Sequence, residues 1–324
     1  MRSIGPDIRY ALRTLARSPL FTCAAILSLA LAIGANTAIF TMMDQVLLRL
    51  LPVQNPEQLV MIWSTGPHMG NNNGDRAQSY PMYQVYQKQA SFFSSVFCRY
   101  QDDASLSMDG QTERVIAEMV SGNFFNALGV KPAIGRVFSP ELDDRTYKGH
   151  PNVVLSYDYW VTRFGGKQSI IGQKILINNY PMTVVGVSAP GFQGLDPVRS
   201  PQIRVPIQMA PIMTPGRDSM GDYRSQWIQM FARMKPGETV DTAKAKLQGI
   251  FTRQLEFEAT LPGLRKASKY QMDRFFKRQV RMERAANGYS NTRNEFGKAL
   301  IVLMAMVGLV LLIACANVAG LLVA

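Results

Sequence analysis

Two uncharged apolar runs limit the folds open to this chain of 324 residues. Residues 18–43 contain no Asp, Glu, Lys, Arg or His, and Leu20, Phe21, Ile26, Leu27, Leu29, Leu31, Ile33, Ile39 and Phe40 make them strongly apolar. Residues 299–324 are a second such run. About 20 apolar residues cross a bilayer core as a helix, so each run is long enough with some tilt. Ser18-Pro19 suits a helix start: the hydroxyl can cap the first turn, and proline there loses no needed hydrogen bond. Everything between the two runs then lies on one side of a membrane.

The first run also meets a cleavage pattern of small residues at Ala30-Leu31-Ala32, but its apolar character continues to Phe40, past a signal peptide's 7–15-residue core. An uncleaved anchor is the expectation. Arg2, Arg9, Arg13 and Arg17 precede it against one acid, Asp7, whereas residues 44–60 carry only Arg49 as a base. The positive-inside rule puts the N-terminus in the cytoplasm and the middle region outside. Ile8, Ala11, Leu12 and Leu15 recur at helical spacing, so residues 1–17 read as a cytoplasmic amphipathic helix at the membrane surface, with a plain basic flank as the alternative.

The net charge of +12 suits anionic lipid as a partner better than nucleic acid in a membrane protein. Of three cysteines, Cys23 and Cys315 lie in the runs, so Cys98 alone cannot close a disulfide within the middle region. That region must be held by its core.

Residues 59–63, 114–120, 152–156, 174–178, 182–187, 203–209 and 227–234 read as strands, and residues 80–93, 157–164 and 240–258 as helices. Asn178-Asn179 suits a hairpin turn, Gly165-Gly166 ends a helix, and Thr239 caps one. Residues 120–130 suggest a turn, a short helix and a glycine stop. Strands and helices without regular alternation predict an α+β fold: two transmembrane helices, residues 18–43 and 299–324, bracketing a mixed domain at residues 44–298. The basic residues 266–298 read as a solvated helix returning to the membrane.

Gly34 and Ala38, beside Asn36, and Ala316 and Gly320, beside Asn317, share a small-xxx-small spacing that lets membrane helices approach closely. These six are the helix-packing candidates. One span runs outward and the other inward, so Asn36 and Asn317 belong at different depths and each is expected to find its own partner.

No catalytic, cofactor or metal site is expected. No stretch fits the phosphate-binding G-x-x-x-x-G-K-[ST]; Gly165-Gly166-Lys167-Gln168 lacks the first glycine and the hydroxyl. His68 and His150 stand alone, thin material for zinc. Ser156 lacks a G-x-S-x-G elbow. The pairs Asp102-Asp103 and Asp143-Asp144 read as solvated loops.

Residues 29–40 (LALAIGANTAIF) resemble the first span of MacB-type, FtsX-like ABC transporter permeases. Residues 120–130, Val154-Leu155-Ser156-Tyr157, Trp160 with Arg163-Phe164-Gly165-Gly166, Val184-Val185-Gly186-Val187 and Pro190-Gly191-Phe192 resemble their extracytoplasmic core domain. Residues 233–237 (RMKPG) and 313–322 (IACANVAGLL) are similar to later parts of it and to the second span. The resemblance implies a non-enzymatic permease component of the inner membrane. An ABC ATPase acting in trans would hydrolyse ATP, and movement of the periplasmic domain would drive export or efflux. It also implies a possible homodimer, and it makes the chain an N-terminal portion, since the family continues with further spans. The alternative is a two-span periplasmic sensor, which shares the order of span, outer domain and span. A third class, an anchored periplasmic enzyme, lacks catalytic residues to name.

Overall fold

The computed structural model describes residues 19–323 except residue 197. The expected amphipathic helix at residues 1–17 lies outside the described residues. The described chain divides into two compact units: the residues up to Arg49 with those from Asn291 onward, and Leu50–Ser290.

The first unit is two helices, α1 (Pro19–Met43) and a second, α9, spanning Asn291–Val323. They pack together, with Gly297 of one against Leu47, just beyond the end of the other. Both contain a segment long and apolar enough to cross a membrane.

In the second unit, β1 is Leu59–Thr65, β2 Asn71–Asn72 and α2 Tyr80–Gln89. A long hairpin follows, β3 (Phe93–Met108) and β4 (Gln111–Val120), then α3 (Phe124–Leu128), β5 (Pro132–Gly135) and α4 (Pro140–Asp143). The chain continues through β6 (Asn152–Leu155), α5 (Tyr157–Phe164), β7 (Lys174–Ile177), β8 (Tyr180–Ser188), β9 (Ile203–Pro206) and α6 (Ala210–Met213). Last come β10 (Ser225–Gln226), β11 (Gln229–Met234), α7 (Val240–Thr260), α8 (Lys269–Phe275) and β12 (Gln279–Arg284).

The main sheet runs β12-β1-β11-β3-β4-β9-β6-β8-β5, and β7 bridges β8 back to β3. Strands β3, β4, β9, β6, β8 and β7 therefore close a ring. Alternation fills it: Ala104, Leu106, Val115, Ala117, Val153, Leu155, Ile175, Ile177, Met182, Val184, Ile203 and Val205 are all buried in one cluster. A ring this small is plugged by its own side chains. Their neighbours in sequence point to the other face, where a second core holds Phe97, Phe124, Phe125, Phe138, Phe192 and Phe231.

Local chemistry explains the elements. Asn178 and Asn179, both at positive φ, form the β7–β8 turn. Ser156 caps α5, and Thr239 with Thr242 makes a reciprocal capping box on α7. Gly129, left-handed, stops α3.

Three expectations fail. Residues 266–298 are not one solvated helix: α8 is short, β12 pairs with β1, and Arg278 is buried. Edge pairing offered those residues more apolar burial than a solvated helix could. Asp102-Asp103 lies within β3 rather than a loop, Asp103 bonding Arg114 and Arg199. Nor is Asp143-Asp144 a solvated pair. Asp143 is fully buried on Arg136 at 2.7 Å, and Asp144 accepts from Gly122 N and Gln208 Nε2.

Candidate functional site

The second core carries charge in its centre. Glu118 on β4 sits between Ala117 and Met119, both of which point into the ring, so its carboxylate points to the opposite face. Arg204, its register partner on β9, and Arg99 on β3 reach the same point. Arg99 Nη1 donates to Glu118 Oε1 at 3.0 Å and Arg204 Nε to Oε2 at 2.8 Å; none of the three is more than 2% exposed. Burial lowers the pKa of Arg204 while Glu118 opposes the shift. Arg204 Nη1 and Nη2 have no hydrogen-bond partner among the described residues, and the guanidinium lies 4.8 Å from the centre of the Phe192 ring. Two cations share one anion, a costly arrangement to break: removing one member of a buried ionic group costs about 3–5 kcal/mol.

This cluster holds the segment where the core domain ends. Arg99 Nη2 donates to the Tyr289 carbonyl at 3.2 Å, and Arg99 Nε to Gln229 Oε1 at 3.0 Å. Tyr289 N donates to Leu195 O at 2.7 Å, and its hydroxyl bonds Asp75. Arg76 lies over both Trp63 and Tyr289 and pairs with Glu283 at 2.6 Å. The beginning of the domain joins the same place: Leu51 N donates to Ala286 O at 2.9 Å. Gly288, at φ +72°, passes so near Leu195 that a Cβ would lie 2.2 Å from its carbonyl oxygen. Entry and exit of the domain are thus one hydrogen-bonded foot. Sequence reasoning missed it. The available signal was opposite charge inside apolar strands, Glu118 in VIAEMV and Arg204 in IRV.

The family of the MacB-like periplasmic core domain matches residues 22–250. The chain belongs to the MacB/FtsX-like ABC transporter permeases. Among solved structures, the periplasmic region of MacB from Actinobacillus actinomycetemcomitans is similar at 15% identity and a TM-score of 0.50, over 78% of this chain and 97% of that one. A permease-protein domain from Porphyromonas gingivalis is similar at 11% identity and a TM-score of 0.50, over 72% of this chain and 91% of that one. At such identities the likeness shows the fold. No curated protein matches. This MacB-like chain is an inner-membrane protein with a periplasmic domain, a component of the ABC transporter permease kind. The comparisons lend nothing to the two-span sensor.

In this MacB-like chain the six packing candidates do not gather. The stripe of α1 that is not exposed is Thr22, Ala25, Leu29, Ala32, Asn36, Ile39 and Met43; that of α9 is Gly297, Leu300, Met304, Val307 with Gly308 beside it, Leu311, Ala314 and Val318. Both repeat at about 3.5 residues, the period of a two-helix seam. Asn36 is on the seam with Oδ1 buried and unpartnered among the described residues. Gly34, Ala38, Ala316, Asn317 and Gly320 are exposed, and a Cβ at Gly34 or Gly320 would meet nothing within 4 Å. Asn317 and Ser28 line an apolar cleft between the helices with Ala32 and Ala35.

Proposed function

We propose that the chain is the membrane component of an exporter or efflux system in which a partner ABC ATPase hydrolyses ATP and the periplasmic domain moves in response. The N-terminus is cytoplasmic, because Arg2, Arg9, Arg13 and Arg17 precede the first span, and residues 44–298 are periplasmic. The observation that carries the coupling is the foot: Leu51 bonded to Ala286, and Tyr289 bonded to Arg99. A displacement of either connection is delivered to the sheet through hydrogen bonds and a buried ionic cluster, not through a loose linker.

The exposed small-residue faces, Gly34 with Ala38 and Ala316 with Gly320, serve as packing surfaces for further membrane helices, including those of a second copy, with anionic lipid around them.

A periplasm-active reporter inserted after Gly149, in an exposed loop, tests the topology. It is expected to be active; an inactive fusion made at normal levels overturns the orientation. The purified chain is expected not to hydrolyse ATP, since it has no phosphate-binding loop. Specific Mg-dependent hydrolysis by this chain alone overturns the assignment of ATP chemistry to a partner.

A further inference from the structure

Along β3, pairing with β11 reaches Arg99 and pairing with β7 begins at Leu106. Between them that edge of β3 has no strand beside it among the described residues. A cavity of about 20 Å³ opens there beside Tyr100, room for one water-sized group. Three other segments complete it. Trp227, between β10 and β11, is held by its backbone N donating to Gln78 O at 3.0 Å, and its ring meets Tyr100 edge to face at 5.3 Å. Asn73, just past β2, donates from its backbone N to Gln226 O at 2.8 Å. Arg217 and Ser219 come from the loop after α6, where Ser225 Oγ donates to Ser219 Oγ at 2.8 Å.

The lining is rich in donors and has no carboxylate. Trp227 is 6% exposed, and its Nε1–H has no partner among the described residues. The Tyr100 hydroxyl, the Asn73 amide and the Arg217 guanidinium make no side-chain hydrogen bond or ion pair among the described residues. Ser219, already accepting from Ser225, keeps its own proton to give. Asp102 and Asp218, close by in sequence, are committed elsewhere. Asp102 Oδ1 accepts from Asp103 N at 2.9 Å, and Asp218 accepts from the Tyr147 hydroxyl and from Met220 N at 3.3 Å. Burial raises the pKa of the Tyr100 hydroxyl, Asp102 adds to the rise and Arg217 opposes it, so the group stays a donor within reach of the guanidinium charge. Donors gathered without an acceptor call for one, and with a guanidinium among them an anion gains most.

We propose that this cavity receives a carboxylate, one oxygen entering to take the Tyr100 and Trp227 protons while the exposed Arg217 neutralises the charge. The cavity holds the head alone and the body of the ligand stays outside. A small free acid and the carboxylate terminus of a peptide therefore share the chemistry it recognises.

The indole N–H of Trp227 is a built-in reporter. The full chain in detergent, isotopically labelled at its three tryptophan indoles, is titrated with acetate, with acetamide as the neutral isostere and chloride as a plain anion. Trp227→Phe assigns the signal, or Trp63→Phe and Trp160→Phe assign it by elimination. Acetate should shift the Trp227 signal saturably, and acetamide and chloride should bind at least roughly tenfold more weakly. Arg217→Gln, at an exposed position, should fold and weaken acetate about tenfold or more; Tyr100→Phe should weaken it about threefold. Acetyl-dialanine with a free terminus, compared with its terminal amide, separates the sources. Tighter binding than acetate marks a chain terminus as the ligand, and equal or weaker binding marks a free acid. Chloride or acetamide matching acetate, an acetate affinity indifferent to both substitutions, or no shift at about 100 mM overturns the proposal.

Discussion

Arg99 donates to the carbonyl of Tyr289, two residues before α9 begins at Asn291. A side chain from the middle of the longest strand thereby fixes the last turn of the core domain. Because Arg99 also bonds Glu118, the grip depends on the buried ionic group. Arg99→Met should lower stability by about 3–5 kcal/mol, and Glu118→Leu by at least as much, since it strands two cations. Urea melts of the full chain check this. A triple replacement of Arg99, Glu118 and Arg204 by apolar residues should recover much of the loss.

The close passage at Gly288 gives a local version of the same test. Gly288→Ala places a Cβ against Leu195 O at a positive φ. We expect a loss of about 1–3 kcal/mol, with faster amide exchange at residues 285–290 than elsewhere in the sheet.

Glu258 gives stability a pH dependence. Its carboxyl is raised from 4.5 to about 7, so between those values the folded state holds a proton that the unfolded state has released. Stability from this group is present below about 4.5 and is lost as pH rises through 7, by about 3 kcal/mol at most. His68, lowered by burial, acts oppositely: its share is lost as pH falls from 6.5. Glu258→Gln should therefore be more stable than the parent at pH 8, and the advantage should shrink toward pH 5. Denaturant melts at the two pH values measure it.

The seam predicts which cysteine pairs meet. In a background lacking Cys23 and Cys315, Leu47→Cys with Gly297→Cys should crosslink efficiently in membranes, since the two sites touch. Gly34→Cys with Gly320→Cys should not crosslink within one chain, because both are exposed away from the seam.

The Thr239 cap is a simple energetic check. Thr239→Ala should cost about 1 kcal/mol in a thermal or urea melt, by removing the bond to Thr242 N.

Much of the fold was legible, because local chemistry decided it. Asn178-Asn179, Gly129, Gly165 and Thr239 each act where the sequence places them. The longest strand was not. The signal was Asp109-Gly110, both at positive φ, a two-residue turn joining β3 to β4. It was obscured because β3 mixes Asp102, Asp103 and Ser105 with its apolar residues, and its ends serve different neighbours. The foot was less legible still. Arg99, Glu118, Arg204 and Tyr289 are far apart in sequence, and only the ring closure and the return of β12 beside β1 bring them together. The packing motifs were legible as composition but not as direction: a small residue permits close approach without choosing the neighbour.

The hydrogen bond between Leu51 and Ala286 means that the core domain begins and ends at nearly one point. A module with adjoining termini can be cut out, recircularised with a short linker, or grafted into a different helical hairpin without redrawing its interior. New ends are best opened at the exposed tip at Asp109-Gly110, on the turn of the long hairpin and away from the ionic cluster.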